Sequence, residues 1–154
     1  MIQISTPDDD FVIDVFPLWS DMELLNEVFT DPSILKVFHG ADFDIIWLQR
    51  DLGIYVVNMF DTGLAAKMLN YGHFSLSYLV SKFVDYSMDK RYQLADWRMR
   101  PIPQEMLNYA RFDTRFLLYI YRAMKAELLE KGDGTANLLR VVMDKSREMC
   151  LKVS

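Results

Sequence analysis

The chain has 154 residues, of which 51% are hydrophobic and 25% are charged, and its net charge is −5 at pH 7. This length and apolar content are typical of one folded domain with a packed core, and they exclude a disordered protein or a coiled coil. The excess of acidic residues excludes nucleic-acid binding through overall positive charge, so any such contact must be local or must depend on metal ions.

The predicted strands lie in the first 60 residues. Residues 1–5 alternate between apolar and polar side chains and meet residues 11–15 across an acidic turn, which predicts a β-hairpin. Residues 34–39 and 55–60 are short apolar runs typical of buried strands.

Helical periodicity lies between these strands and fills the rest of the chain. It predicts helices over residues 21–29, 42–52, 62–69, 75–83, 103–130 and 135–152. Asp42 is the expected N-cap of the helix over residues 42–52, and residues 132–134, Gly-Asp-Gly, end the long helix. Strands that alternate with helices, followed by helices alone, predict an α/β domain with a helical C-terminal half.

Two further features concern the compartment. Cys150 is the only cysteine, which excludes an internal disulfide and a cysteine-built zinc site and favours a reducing environment. No run approaches the about 20 apolar residues of a membrane span, and the start of the chain lacks the basic and apolar regions of a signal peptide. We therefore expect no membrane partner.

Residues 90–101, KRYQLADWRMRP, are a loop with four basic residues and one acidic residue. Tyr92 and Trp97 lie between these charges. Aromatic side chains offer stacking surfaces for unpaired bases and arginines offer phosphate contacts, so this loop is a candidate surface for single-stranded nucleic acid. The alternative is a solvated basic loop whose Trp97 packs into the core.

One face of the long helix is apolar, at Met106, Tyr109, Ala110, Leu117, Ile120 and Met124. Asp113 falls on this face, where an ionised carboxylate needs a charged partner or a metal ion. Arg111 and Arg115 are candidate partners, but neighbouring helix positions point to other faces. Tyr109 lies one turn before Asp113, so the pair suits either an ordinary core hydrogen bond or the positioning of a water molecule for attack.

Asp44 lies in the first turn of the helix over residues 42–52. Alone, it is a first-turn acid favoured by the helix dipole, which contributes about 0.3–1 kcal/mol. Together with Asp113 it makes a pair of carboxylates near the ends of core elements, in a chain without a cysteine-built site. This donor set suits Mg²⁺ or Mn²⁺.

These acids belong to segments that resemble a known family. HGADFDIIWLQ at residues 39–49 resembles the second motif of the RNase D-like 3′–5′ exonucleases, and YARFD at residues 109–113 resembles their third, in the Tyr-x-x-x-Asp form of the DEDDy subgroup. Further segments are similar to the nuclear-exosome branch of the family: NMFDT at 58–62, SL at 75–76 and YQLADWRMRP at 92–101. The resemblance implies an exonuclease domain over residues 1–130, followed by a C-terminal helical extension over residues 131–154.

The family implies an RNase H-like fold and hydrolysis of RNA from its 3′ end with two divalent ions, Mg²⁺ or Mn²⁺. By resemblance, Asp113 is a direct metal ligand and Asp44 completes the acidic cluster. Tyr109 orients the attacking water. Asp61 matches a recurrent acid of the family that is more often structural than catalytic.

The resemblance also implies partners and a location. His39 of the second motif, and Trp97, Arg98 and Arg100 of the basic loop, are the implied RNA-binding residues. The implied partners are single-stranded RNA 3′ ends and the exosome core with its associated cofactors. The implied role is nuclear RNA processing and decay, in the nucleus and its nucleolus.

The family's first motif, Asp-x-Glu, lies on a central strand just before the segment that matches residues 1–5. The only such spacing here, at residues 21–23, falls in a predicted helix. We therefore expect an N-terminally truncated domain without that strand, with the hairpin detached from the other strands or rearranged against them. The alternative function is a catalytically impaired fragment that binds RNA or an exosome partner. An unrelated metal-free interaction domain would require the matching segments to be coincidental.

Overall fold

An antiparallel hairpin opens the chain, formed by β1 (Ile2–Ser5) and β2 (Asp10–Ile13). The structure of the chain is a computed structural model, which describes residues 1–88, 91–92, 94–132 and 137–152. The register pairs Ile2 with Ile13 and Ser5 with Asp10, and the amide of Thr6 donates to the carbonyl of Asp9 in the turn at 2.8 Å. The alternation of apolar residues therefore predicted this hairpin correctly.

The second sheet is a parallel pair, β3 (Lys36–Phe38) and β4 (Met59–Asp61), joined by α2 (Asp42–Leu52). β4 is shorter than the strand predicted over residues 55–60, and it includes Asp61. The residues before it bond elsewhere, because the amide of Val57 donates to the carbonyl of Phe29 at 2.8 Å. This bond to Phe29, at the end of the short helix over residues 26–29, replaces part of the predicted ladder.

The two sheets are separate. Among the described residues, each sheet contains only two strands, β1–β2 and β3–β4. Of the two expected arrangements, detached from the other strands or rearranged against them, the hairpin adopts the detached one. The hairpin instead packs on α5 (Gln104–Arg115), where the Ser5 hydroxyl lies 2.7 Å from that of Thr114 and Asp10 accepts a hydrogen bond from Arg115 at 2.8 Å.

Helices form the rest of the described chain. A 3₁₀ helix (Trp19–Leu25) and α1 (Asn26–Phe29) replace the single helix predicted over residues 21–29. The other helices are α3 (Thr62–Met68), α4 (Leu76–Val84), α6 (Leu117–Lys131) and α7 (Asn137–Cys150). The predicted start of the last helix, at residue 135, lies outside the described residues. No helix in the described ranges is long and apolar enough to cross a membrane.

The prediction of one long helix over residues 103–130 is wrong in one respect. The segment forms two helices, α5 and α6, with a break at Phe116. The amide of Phe116 donates to the carbonyl of Thr114. Its ring stacks on Phe112, with the ring centroids 5.8 Å apart. Since no proline or glycine lies between residues 104 and 131, the sequence contains no local signal for this break.

The buried residues form two packed clusters that meet at β4. Met59 belongs to the cluster beneath α2, and Phe60 belongs to the cluster between α3, α4 and α6. α7 contributes to both, with Val142 in the second cluster and Met149 in the first. β4 is therefore covered on both faces, as expected for a parallel strand.

Lys36 is a buried cation at the start of β3, with only 6% of its surface exposed. Its ammonium donates to the carbonyls of Val28, Asp31 and Ile34 at 3.1, 2.7 and 2.6 Å. Burial lowers the pKa of this lysine, more than the nearby Asp31 raises it. The lysine thereby satisfies the carbonyl groups of the segment that leads into the strand.

We expect Lys36→Met to lower the free energy of unfolding by about 2 kcal/mol, because buried carbonyl oxygens lose their donor. Urea unfolding monitored by circular dichroism measures this change. The matched control is Lys125→Met on the exposed surface of α6, which should stay within about 0.5 kcal/mol of the parent. Equal stabilities for the two variants would show that the three hydrogen bonds contribute nothing.

Candidate active site

A cleft of about 510 Å³ lies between the hairpin and the parallel sheet. Residues 1–7, which include β1, form one wall, and residues 34–39, which include β3, form the other. α2 and α5 contribute further lining, including Asp44 and Asp113. The fold thus brings together in one cleft two acids that lie 69 positions apart in the sequence.

Asp113 is half-buried and projects into the cleft from α5. Its neighbours Arg111 and Arg115 point away from it, as the helical geometry predicted. They lie 3.6 and 2.8 Å from Asp10 of β2. No hydrogen bond or ion pair holds the Asp113 carboxylate within the described part of the chain. Burial therefore raises its pKa, and a cation in the cleft would relieve the cost of ionising it.

Asp44 enters the cleft from the first turn of α2. Burial raises the pKa of this carboxyl, and the negative charge of Asp61 raises it further. Its oxygens also have no hydrogen-bonding partner among the residues that the structure covers. Like Asp113, it is therefore an unpaired acid in the cleft.

The predicted N-cap of α2 is wrong. Ala41 occupies the cap position and provides no side-chain hydrogen bond. Asp42 is already helical, and its carboxylate accepts from the ammonium of Lys152 at 2.7 Å. Lys152 lies just after α7, so that the acid predicted to cap its own helix instead binds the C-terminal part of the chain.

The donor set at the cleft fits a divalent cation. Mg²⁺ is commonly held by one or two carboxylates together with water and substrate phosphates, which matches Asp44 and Asp113. No cluster of three or more His, Cys, Asp or Glu residues suited to a metal occurs in the described ranges. A pair of ions would need more ligands than these two acids provide.

Tyr109 lies one turn before Asp113 on α5, within an aromatic cluster. The centroid of its ring is 5.6 Å from that of Tyr92 and 6.1 Å from that of Trp97. The Trp97 indole nitrogen donates to the carbonyl of Tyr92 at 3.2 Å. Trp97 is half-buried against the helix, which is the packing alternative considered for this loop.

His39 ends the wall formed by β3. Its Nδ1 lies 2.9 Å from the hydroxyl of Thr62, which itself donates to the carbonyl of Phe38 at 3.1 Å. Burial lowers the pKa of the imidazole, more than Asp61 and the carbonyl of Phe74 raise it. His39 thus joins the end of β3 to α3 while it lines the cleft.

The two arginines predicted to bind RNA differ in their surroundings. The side chain of Arg98 is 91% exposed, and among the described residues it pairs only with Asp96, two residues before it. Arg100 donates to both carboxylate oxygens of Asp14, at 2.8 and 3.0 Å, and to the carbonyls of Trp97 and Met99. Arg98 is therefore open to solvent, whereas Arg100 fastens the loop to the hairpin. Lys90 and Gln93 of this loop lie outside the described residues.

Comparisons with known proteins identify the family of this chain. A family model described as a 3′–5′ exonuclease matches residues 1–129. The human protein named exosome complex component 10 is 57% identical over 152 residues, which cover 99% of this chain and 17% of that protein. The chain thus spans less than a fifth of this relative.

Solved structures share the fold. The crystal structure of the catalytic core of RRP6 from Trypanosoma brucei is 45% identical, with a TM-score of 0.90 over 98% of this chain and 40% of that chain. Escherichia coli RNase D matches with a TM-score of 0.68 at 24% identity, over 90% of this chain and 34% of that chain. The predicted α/β, RNase H-like exonuclease fold is thereby confirmed.

Proposed function

Because the chain belongs to the 3′–5′ exonuclease family, we propose that its cleft acts in metal-dependent removal of nucleotides from the 3′ end of RNA. The observation that carries this proposal is the pair of unpaired acids, Asp44 and Asp113, in one cleft. The similarity to exosome complex component 10 supports exosome-associated RNA as the substrate and the exosome core as the partner. Nuclear RNA processing and decay is the corresponding role, and the nucleus the corresponding location.

The metal that we propose is Mg²⁺, or Mn²⁺, held between Asp44 and Asp113. A divalent ion at this position would stabilise negative charge on the phosphate and favour the ionised form of water. Each of these acids would contribute a carboxylate oxygen. Tyr109 does not itself line the cleft. It lies one turn before Asp113 on the same helix, from where its hydroxyl would orient the attacking water. A second ion requires additional acids, which an Asp-x-Glu strand placed between β1 and β3 would provide.

The proposal is tested with a single-stranded RNA labelled at its 5′ end. We expect Mg²⁺ to produce a ladder of products shortened from the 3′ end, and EDTA to abolish it. The assay compares this chain with a version lengthened before Met1 by an Asp-x-Glu strand. Degradation by the lengthened version alone would support the family chemistry and the need for more than two acids. Absence of degradation by both would contradict the proposed activity.

A second candidate function is a binding module with impaired catalysis. The observation that favours it is the presence of only two unpaired acids in the cleft among the described residues. This alternative predicts that the unlengthened chain binds single-stranded RNA without shortening it. Fluorescence anisotropy with the same RNA, measured alongside the degradation assay, distinguishes the two functions.

The basic loop provides a separate prediction on RNA binding. We expect Arg98→Ala to reduce the slope of log affinity against log salt by about 0.7, because an exposed guanidinium that neutralises a phosphate is lost. We expect Arg100→Ala to lower the melting temperature, because its guanidinium holds Asp14 of the hairpin. Trp97→Ala should also lower the melting temperature, by removing the indole packed near Tyr109.

Salt-dependent affinity and thermal unfolding are measured on all three variants. An unchanged salt slope for Arg98→Ala would mean that Arg98 contacts no RNA phosphate, and would favour the interpretation of the loop as a solvated surface. If Trp97→Ala kept the parental melting temperature but lost about 1–3 kcal/mol of RNA affinity, the indole would stack on a base.

A further inference from the structure

Asp61 is a fully buried acid at the end of β4. Its Oδ1 accepts from the amides of Gly63 and Leu64 at 2.8 and 3.1 Å, which makes it the N-cap of α3. The same carboxylate also accepts from the amides of Gly40 and Ala41 at 3.1 and 2.8 Å. Two amides from the first turn of α3 and two from the turn before α2 therefore converge on one carboxylate.

The two amides at residues 40 and 41 belong to the turn that begins α2. Ala41 stands at the N-cap of this helix without a capping side chain. Gly40 has a φ of +61°, a left-handed conformation that glycine adopts readily. Asp61, from a different strand, thus supplies the hydrogen-bond acceptors for the turn that precedes Asp44.

α7 supports the same region from the other side. The hydroxyl of Ser146, which is fully buried, accepts from the amide of Asp61 at 3.0 Å. Gln49 of α2 donates to the carbonyl of Cys150 at 3.2 Å. The helix predicted as a C-terminal extension therefore forms hydrogen bonds with both β4 and α2.

We infer that Asp61 is a positioning residue, which fixes the turn at residues 40–41 and thereby places the carboxylate of Asp44 in the cleft. The inference rests on the proposed role of Asp44 as a cation ligand. Asp61 does not line the cleft itself. It acts through the backbone of α2, and its bond to Ser146 extends this support to α7.

The first test measures Mn²⁺ affinity of the full chain by electron paramagnetic resonance. In Asp61→Asn the side-chain NH₂ faces amide donors, so that part of the four-bond cradle is lost. We expect Mn²⁺ to bind about 10-fold more weakly, as for other residues that orient metal ligands. The matched control is Ser75→Ala, which removes the N-cap of α4 and should leave Mn²⁺ affinity unchanged.

A second variant separates the effect of the position of the Asp61 carboxylate from the effect of its charge. A Cβ at Gly63 would lie 3.0 Å from Oδ1 of Asp61 and 3.5 Å from the amide of Gly40. Gly63→Ala therefore displaces the carboxylate while it keeps the negative charge and adds a helix-favouring residue. We expect weaker Mn²⁺ binding here as well. Weakening in Asp61→Asn alone would assign the effect to charge and overturn the positioning role.

Hydrogen exchange provides a readout that does not need the metal. We expect Asp61→Asn and Gly63→Ala to lose amide protection at residues 40–45, but to keep it in α4, whereas Ser75→Ala does the reverse. Unchanged protection at residues 40–45 in folded Asp61→Asn would overturn the inference. If the parent binds no Mn²⁺, the proposed metal site fails, and hydrogen exchange alone decides whether Asp61 positions α2. If Asp61→Asn does not fold, Mn²⁺ affinity and hydrogen exchange are both measured on Gly63→Ala, and parental values in both would overturn the inference.

Discussion

Asp113→Asn should reduce Mg²⁺-dependent shortening of RNA by about 1,000-fold or more in a lengthened chain that is active. The amide is a poorer cation ligand than the carboxylate, and a metal ion contributes several kcal/mol of charge stabilisation in the transition state. RNA affinity in metal-free buffer should remain nearly unchanged, because the substitution alters an acid of the cleft and not the basic loop. Single-turnover degradation and anisotropy measure the two quantities.

The matched control is Asp51→Asn, at the opposite end of α2 from Asp44. Asp51 pairs with the adjacent Arg50 at 2.9 Å and does not line the cleft. The Asp51→Asn variant should shorten RNA at the parental rate. If Asp113→Asn degraded RNA as fast as this control, the carboxylate would be a buried acid without a catalytic role. If RNA affinity fell together with the rate, Asp113 would act on substrate binding and not only on the chemistry.

The sequence predicted the elements whose signals are local. The alternation in residues 1–5 and 11–15 matches the observed hairpin, and the helix over residues 42–52 has the observed bounds. β4 is shorter than predicted because residues before it bond to the end of α1. Phe116, at the break between α5 and α6, packs against the rings of Tyr86 and Phe112, and periodicity does not report such contacts.

The same distinction applies to the site. Periodicity placed Asp113 on an apolar face, and helical geometry correctly separated it from Arg111 and Arg115. That Asp44 shares the cleft with Asp113 follows from tertiary structure. Their places near the ends of core elements suggested such a pair, and the family resemblance supported it. The partner of Arg100 is Asp14, 86 residues away, and no local pattern indicates such a pair.

These long-range contacts also explain how the hairpin keeps its place without joining the other sheet. Arg100 binds its C-terminal end through Asp14, and Arg115 binds Asp10 within β2. Burial opposes ionisation of Asp10, but hydrogen bonds from Ser5 and Arg115 more than offset it and lower the pKa of this carboxyl. The wall of the cleft formed by β1 thus depends on polar contacts with α5 and the basic loop.

Tyr109→Phe should slow RNA hydrolysis about 10²–10⁴-fold in the active, lengthened chain while Mn²⁺ affinity stays at the parental value. The substitution removes only the phenolic hydroxyl, which we propose orients the attacking water. The ring that packs between Tyr92 and Trp97 remains, so the melting temperature should change little. Single-turnover rates, Mn²⁺ titration and thermal unfolding measure the three quantities.

Tyr119→Phe is the matched control, because Tyr119 lies on the exposed surface of α6. It should match the parent in all three measurements. A parental rate for Tyr109→Phe would mean that Tyr109 has only a packing role in the aromatic cluster. A loss of rate accompanied by a comparable loss of Mn²⁺ affinity would instead mean that the hydroxyl supports the metal site. Only slower hydrolysis with unchanged metal binding and stability assigns the hydroxyl to the attacking water.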